Sequence, residues 1–108
     1  MKEYVDLDRA AELFERALAL EPNSVDLLLD LGELYANGYG KGYTQAEPTY
    51  RRLLALDPLS VDGYIGLAML HRVPGSMVKL AEAVDAFETA VRLDPSRPDA
   101  QADLGYAL

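Results

Sequence analysis

The amino-acid sequence predicts an all-α solenoid, an array of antiparallel helix hairpins stacked side by side. A nine-residue pattern recurs at Leu18–Asp26, Leu54–Asp62 and Val91–Asp99, and all three copies keep the leucine, the acid and the proline in the middle and the final aspartate. The prolines of these segments are 36 and 37 residues apart, which is the near-constant period of a repeat protein. Between the segments, apolar residues follow helical three-four spacing, and no segment shows the sustained two-residue alternation of a strand.

The first two helices are predicted at residues 7–20 and 25–36. The first is amphipathic. It ends before Pro22, because the residue that precedes a proline is pushed out of the helical region. Asn23 or Ser24 is suited to cap the second helix.

The third helix is predicted at residues 45–56. Thr44 and Glu47 have the spacing of a capping box. Pro48 is then tolerable only because the first N–H groups of a helix lack intrahelical partners. We therefore expect the helix to begin at residue 45 or one or two residues later.

The same cycle of helix, proline turn and helix predicts three further helices, at residues 61–72, 77–93 and 98–108. Pro58 and Pro95 mark turns between helices, which we call joints, and Pro22 marks the first joint.

Composition narrows the function. The chain has 108 residues, half of them apolar, which fits one domain with a real core. It has no cysteine and one histidine, and it carries no catalytic motif, so we expect no metal, no cofactor and no enzyme activity. The net charge of −8 argues against nucleic acid and anionic membranes as partners. The N-terminal residues lack the apolar run of a secretion signal, so a soluble chain is expected, with the cytoplasm favoured.

The pattern of large and small residues resembles the tetratricopeptide repeat family, in which each repeat is a first helix (A) and a second helix (B). The resemblance covers nearly the whole chain in three consecutive registers. Residues that match B helices and the following proline are Ala10, Phe14, Ala17 and Pro22, then Tyr43, Ala46, Tyr50, Leu53 and Pro58, then Ala83, Phe87, Ala90 and Pro95. Residues at A-helix positions are Leu28, Leu31, Gly32 and Tyr35, then Tyr64, Leu67, Ala68 and His71, then Leu104 and Gly105.

The resemblance implies a right-handed superhelical array of about three repeat equivalents in a single domain, residues 1–108. Its parts are a B helix in residues 1–22, full repeats in 23–58 and 59–95, and an A helix in 96–108. Small residues should let neighbouring helices approach at Gly32, Ala68 and Gly105.

Two departures from the family pattern stand out. The full repeats exceed the family's period, and the extra residues are expected to form longer turns at residues 37–44 and 72–79. His71 replaces the usual tyrosine. We interpret it as a partly buried structural side chain, because nothing beside it in the sequence suggests a metal or a catalytic partner.

The resemblance also implies a binding surface, because the A helices of this family line the concave face. The corresponding residues are Asp26, Leu29, Asp30, Glu33, Ala36, Asn37, Asp62, Ile65, Gly66, Met69, Arg72, Val73, Asp99, Ala102, Asp103 and Tyr106.

This surface is acidic with apolar steps. The three A helices hold six acids against one base, Arg72. Family members that clamp acidic chaperone tails use Lys, Asn and Arg here, so such a tail would be repelled. A basic, partly apolar peptide or partner helix fits better. The alternative is that these acids only keep the array soluble and favour helix N-termini, where Asp26, Asp62 and Asp99 lie.

The two ends of the array suggest further interpretations. The chain begins with a B helix and stops in an A helix, so apolar residues such as Leu7, Leu104 and Leu108 are candidates for self-association into a homodimer or filament. Alternatively, the chain is a fragment of a larger protein of this family, or a regulatory appendage of an enzyme.

Overall fold

The computed structural model of the chain describes residues 6–37, 41–71 and 77–108, and every regular element in these ranges is an α helix. The all-α repeat array is therefore confirmed. In chain order the helices are α1 (Leu7–Leu20), α2 (Val25–Ala36), α3 (Lys41–Leu56), α4 (Val61–His71), α5 (Met77–Leu93) and α6 (Pro98–Ala107).

The prediction for the start of α3 was wrong. The helix begins at Lys41, so Thr44 and Glu47 lie inside it instead of forming a capping box, and Pro48 lies well within the helix. Packing explains the difference, since Ala46 and Tyr50 are buried and hold this part of the chain against the core. Burial of apolar surface outweighs the helix penalty of one proline.

The longer turns were also predicted too long. Residues 41–44 belong to α3, so part of the extra length there extends a helix. Residues 77–79 belong to α5, as the predicted helix 77–93 already required. Residues 38–40 and 72–76 lie outside the described residues.

The helices pack as successive antiparallel neighbours. α2 packs most extensively against α3, and α4 against α5, while α3 also contacts α4 and α5 contacts α6. The core is a row of clusters along this array. Leu18, Leu28, Leu31 and Leu53 form one of them. Each cluster joins residues of neighbouring helices, as expected for a solenoid.

Tyr50 is a large side chain buried between the A helices α2 and α4, at 2% exposure. A Cβ atom at Gly32 would lie only 2.8 Å from its ring, and one at Gly66 would overlap it. The close approach predicted at Gly32 is therefore present, and the same role of Gly66 was missed. At Gly105 a Cβ would meet no atom within 4 Å in the described part of the chain, so no helix lies close to it there.

Candidate interaction surface

We call the side chains predicted for binding on α2, α4 and α6 the A-helix surface. Its described acids are exposed, except Asp103, which is half-buried. Ala36 and Gly66 are partly buried, and Asn37 and Ala102 are exposed. Arg72 and Val73 lie outside the described residues. The surface therefore consists of Asp26, Leu29, Asp30, Glu33, Ala36, Asn37, Asp62, Ile65, Gly66, Met69, Asp99, Ala102, Asp103 and Tyr106.

The acids on α2 are available to solvent. Asp26, Asp30 and Glu33 are exposed, and no ion pair or side-chain hydrogen bond from them occurs within the described ranges. Asp26 lies in the first turn of α2, where its charge also favours the helix dipole. This end of the surface is acidic.

The acids near the start of α6 are paired with a base that the sequence reasoning missed. The Arg97 guanidinium donates to Asp62 Oδ1 at 2.9 Å, to Asp99 Oδ1 at 3.0 Å and to Asp99 Oδ2 at 2.8 Å. Hydrogen bonding to Arg97 lowers the pKa of Asp99, and its bonds to Asp99 and Asp62 raise the pKa of Arg97. Arg97 thus links α4 to α6 and neutralises part of the negative charge of the A-helix surface.

Arg97 was missed because it precedes α6 and the prediction counted only charges within the helices. It is the N-cap residue of α6, and its side chain makes no cap hydrogen bond. Ser24 caps α2 by accepting from Leu27 N at 3.2 Å, and Ser60 accepts from Gly63 N at 3.0 Å at the start of α4. Ser24 and Ser60 each lie two residues after a proline, and Arg97 takes the same position after Pro95. This comparison could have indicated that the arginine is unusual.

The apolar side chains of the A-helix surface fall into two groups. Leu29 and Ile65 are partly buried and pack against the core clusters. Met69 and Tyr106 are 49% and 78% exposed. Only the second pair offers much apolar area to a partner.

His71 is more deeply buried than predicted, at 3% exposure, and it contacts two carboxylates. Its Nε2 lies 3.3 Å from Glu82 Oε2 on α5 and 3.8 Å from Glu47 Oε1 on α3. Glu47 also bonds Arg51, which lowers the pKa of its carboxyl against the opposing effect of burial. His71 therefore joins the B helices on either side of α4, which fits the predicted structural role.

Tyr35 makes a comparable bond in the preceding repeat. Its hydroxyl donates to Glu15 Oε1 at 3.0 Å, which links α2 to α1. Partial burial, and then the bond to Glu15, raise the pKa of Tyr35. Polar side chains thus connect successive helices near the end of two A helices.

An open cleft of about 250 Å³ lies beside His71. Leu67 and Ala86 contribute apolar lining, and Glu82 and Asp85 contribute carboxylates. No group of three or more His, Cys, Asp or Glu side chains suited to a metal ion is found in the described ranges. Within those ranges no helix is long and apolar enough to cross a membrane.

The side chains predicted for self-association differ in exposure. Leu7 is partly buried, and Leu104 packs against the cluster around Phe87. Leu108 is 82% exposed. Leu20, which was not predicted, is 85% exposed at the end of α1.

Comparisons with known proteins agree with this architecture. Two profiles of the tetratricopeptide repeat match residues 5–38 and 76–108, together more than half of the chain. Among solved structures, a crystal structure of MamA is 27% identical with a TM-score of 0.79, over 94% of this chain and 57% of that one. The MamA RS-1 ArsTM double mutant is 25% identical with a TM-score of 0.77, over 94% and 55%. No curated protein sequence gives a match.

Stacked helix pairs with small residues at their contacts define a helical-repeat interaction module. The chain belongs to the tetratricopeptide repeat family. It spans a little over half the length of the MamA structures it matches. Protein binding is the general role of such repeats, so the chain is a protein-interaction scaffold in the general sense.

Proposed function

We propose that this chain binds a basic, partly apolar peptide or partner helix on its A-helix surface and catalyses no reaction. The observation that carries the proposal is the set of exposed carboxylates of Asp26, Asp30 and Glu33 on one helix, none of which pairs with a base in the described part of the chain. Cationic side chains complement such a surface, and acidic ligands are repelled by it.

Exposed apolar side chains support the second half of the proposal. Met69 and Tyr106 project apolar area from α4 and α6, on the same set of helices as the acids. A tyrosine and a methionine are side chains that bind partners well, because one is large and rigid and the other adapts its shape. The ligand should therefore combine basic and apolar residues.

We propose that the binding unit is one domain, residues 1–108, with full repeats in 23–58 and 59–95. The extensive packing of α2 on α3 and of α4 on α5 supports this division. In it, α1 belongs to a partial repeat in residues 1–22 and α6 to another in 96–108.

Fluorescence anisotropy with labelled peptides tests the binding proposal. One probe alternates arginine and leucine, and the other alternates glutamate and leucine, at 50 and 300 mM salt. We expect binding of the basic probe only, with weaker binding at the higher salt. Equal affinity for both probes would overturn the proposal.

A charge-reversal variant locates the surface. Asp30→Lys, Glu33→Lys and Asp103→Lys in one chain should reduce binding of the basic probe at least about tenfold. The matched control is Glu12→Lys, Asp85→Lys and Glu88→Lys, which makes the same charge change at exposed positions on α1 and α5. If the control loses affinity equally, net charge and not the A-helix surface drives binding.

Self-association is a second candidate function. Exposed apolar side chains occur on both terminal helices, with Leu20 on α1 and Tyr106 on α6, and Leu108 follows α6. No described atom would lie within 4 Å of a Cβ at Gly105, so a neighbouring helix could approach α6 there. Light scattering over a concentration series is the test. A constant monomer mass up to millimolar concentration would reject it.

A further inference from the structure

The guanidinium group of Arg97 lies between two acids of the A-helix surface. It makes two bonds to Asp99 in a fork, at 3.0 and 2.8 Å, and a third to Asp62 at 2.9 Å. This arrangement uses the planar geometry that suits arginine and not lysine. The protein therefore already binds one guanidinium group at this part of its surface.

The backbone conformation at residue 97 does not require an arginine. Arg97 has φ −82° and ψ 105°, nearly the same as Ser24 at φ −77° and ψ 107°. The backbone turn is also the same, because Ser24 N bonds Glu21 O and Arg97 N bonds Asp94 O. A serine would fit at position 97 and supply the cap bond that α6 lacks.

We propose that Arg97 is an intramolecular competitor of the basic partner, and that an arginine side chain of the partner displaces it from Asp62 and Asp99. This inference rests on the proposed function of the A-helix surface. While Arg97 is bound there, the partner is held mainly by Asp26, Asp30 and Glu33. Arg97 thus sets both the affinity and the place where the partner's charges bind.

Displacement is feasible because the contact is near the surface. The Arg97 side chain is 32% exposed, and those of Asp62 and Asp99 are each 51% exposed. Ion pairs of this kind contribute only about 0–1 kcal/mol, since water competes with both partners. A ligand that brings its own guanidinium replaces the bonds it breaks.

The test compares Arg97→Ser with Arg92→Ser in the full chain. Both remove one positive charge, but Arg92 is exposed on α5 and bonds Thr89. The probes are the arginine–leucine peptide and its lysine–leucine counterpart. We expect Arg97→Ser to bind the arginine peptide roughly three- to tenfold more tightly than the wild type, to bind the lysine peptide with a smaller gain, and Arg92→Ser to stay within about twofold.

A second variant tests whether Asp62 is occupied. Asp62→Asn should change the affinity of the wild type less than about twofold, and should remove most of the gain in the Arg97→Ser background. An equal loss in both backgrounds would overturn the inference, as would no gain in Arg97→Ser. If the wild type does not distinguish basic from acidic peptides, the proposed function itself fails.

Discussion

The ring of Tyr50 lies so close to the backbone of Gly66 that a methyl group at Gly66 would overlap its Cζ atom. The contact joins α3 to α4. Burial raises the pKa of Tyr50 to about 12, and the charge of Glu33 adds to this effect. The close packing of the Tyr50 ring against the backbone of Gly66 therefore helps to hold the two full repeats together.

Gly66→Ala should destabilise the chain by about 1–3 kcal/mol, because the ring of Tyr50 must move within a packed core. Urea unfolding monitored by circular dichroism measures the change. Gly105→Ala is the control, since no atom of the described residues would lie within 4 Å of its Cβ, and it should stabilise α6 by roughly 0.5–1 kcal/mol. Equal effects of the two substitutions would show that the close contact does not matter.

His71→Ala should cost about 2–4 kcal/mol, because it removes a buried ring together with its polar contacts on α3 and α5. Glu82→Gln should cost less than about 1 kcal/mol, since that side chain is 46% exposed and water can replace the contact. Urea unfolding distinguishes the two. A larger cost for Glu82→Gln would assign the stability to the polar contact between His71 and Glu82 and not to packing.

Ser24→Ala should destabilise the chain by about 1 kcal/mol through loss of the cap bond to Leu27. Asn23→Ala serves as the control, because Asn23 was the alternative cap and is exposed without that bond; its effect should stay within about 0.5 kcal/mol. Thermal unfolding followed at 222 nm gives both values. A larger effect for Asn23→Ala would contradict the cap assignment.

Acid should weaken the link between α4 and α6. The folded-state pKa of Asp99 lies below its usual value of 3.8, so the stability it contributes is present above that pH and is lost as the pH falls through the folded-state pKa. Below about pH 4, the free energy of unfolding of the wild type should therefore decrease more steeply than that of Arg97→Ser. Parallel curves from pH 7 to pH 2 would contradict the role of this pair.

The architecture could be predicted from the sequence because the repeats encode it three times. Each proline joint punctuates the chain independently, and the bounds of α1, α2 and α5 agree with the predicted ones. The start of α3 could not be predicted from local signals, because the capping pattern of Thr44 and Glu47 competes with the burial of Ala46 and Tyr50. That burial depends on helices far away in the chain.

For the candidate site, only the negative sign of its charge could be predicted from the sequence. The exposed acids of α2 follow from helical spacing, but the ion pairs of Arg97 depend on how α6 is placed beside α4. Asp62 and Arg97 are 35 residues apart, so no local pattern brings them together. The deep burial of His71 was missed for the same reason, since it depends on the packing of α3 and α5 against its side chain.

The serine caps at the first two joints and the arginine at the third make the units unequal in how they can be rearranged. Inserting a second copy of residues 23–58 after Pro58 would reproduce the Gly32–Tyr50 contact and add another copy of the exposed acids of α2. Inserting a copy of residues 61–97 after Arg97 would add an arginine with each unit. Each added copy of residues 23–58 would carry a net charge of −2, and each added copy of residues 61–97 a net charge of −1. Both extensions therefore make the array more acidic, and the arginine at residue 97 is the reason that the second does so at half the rate.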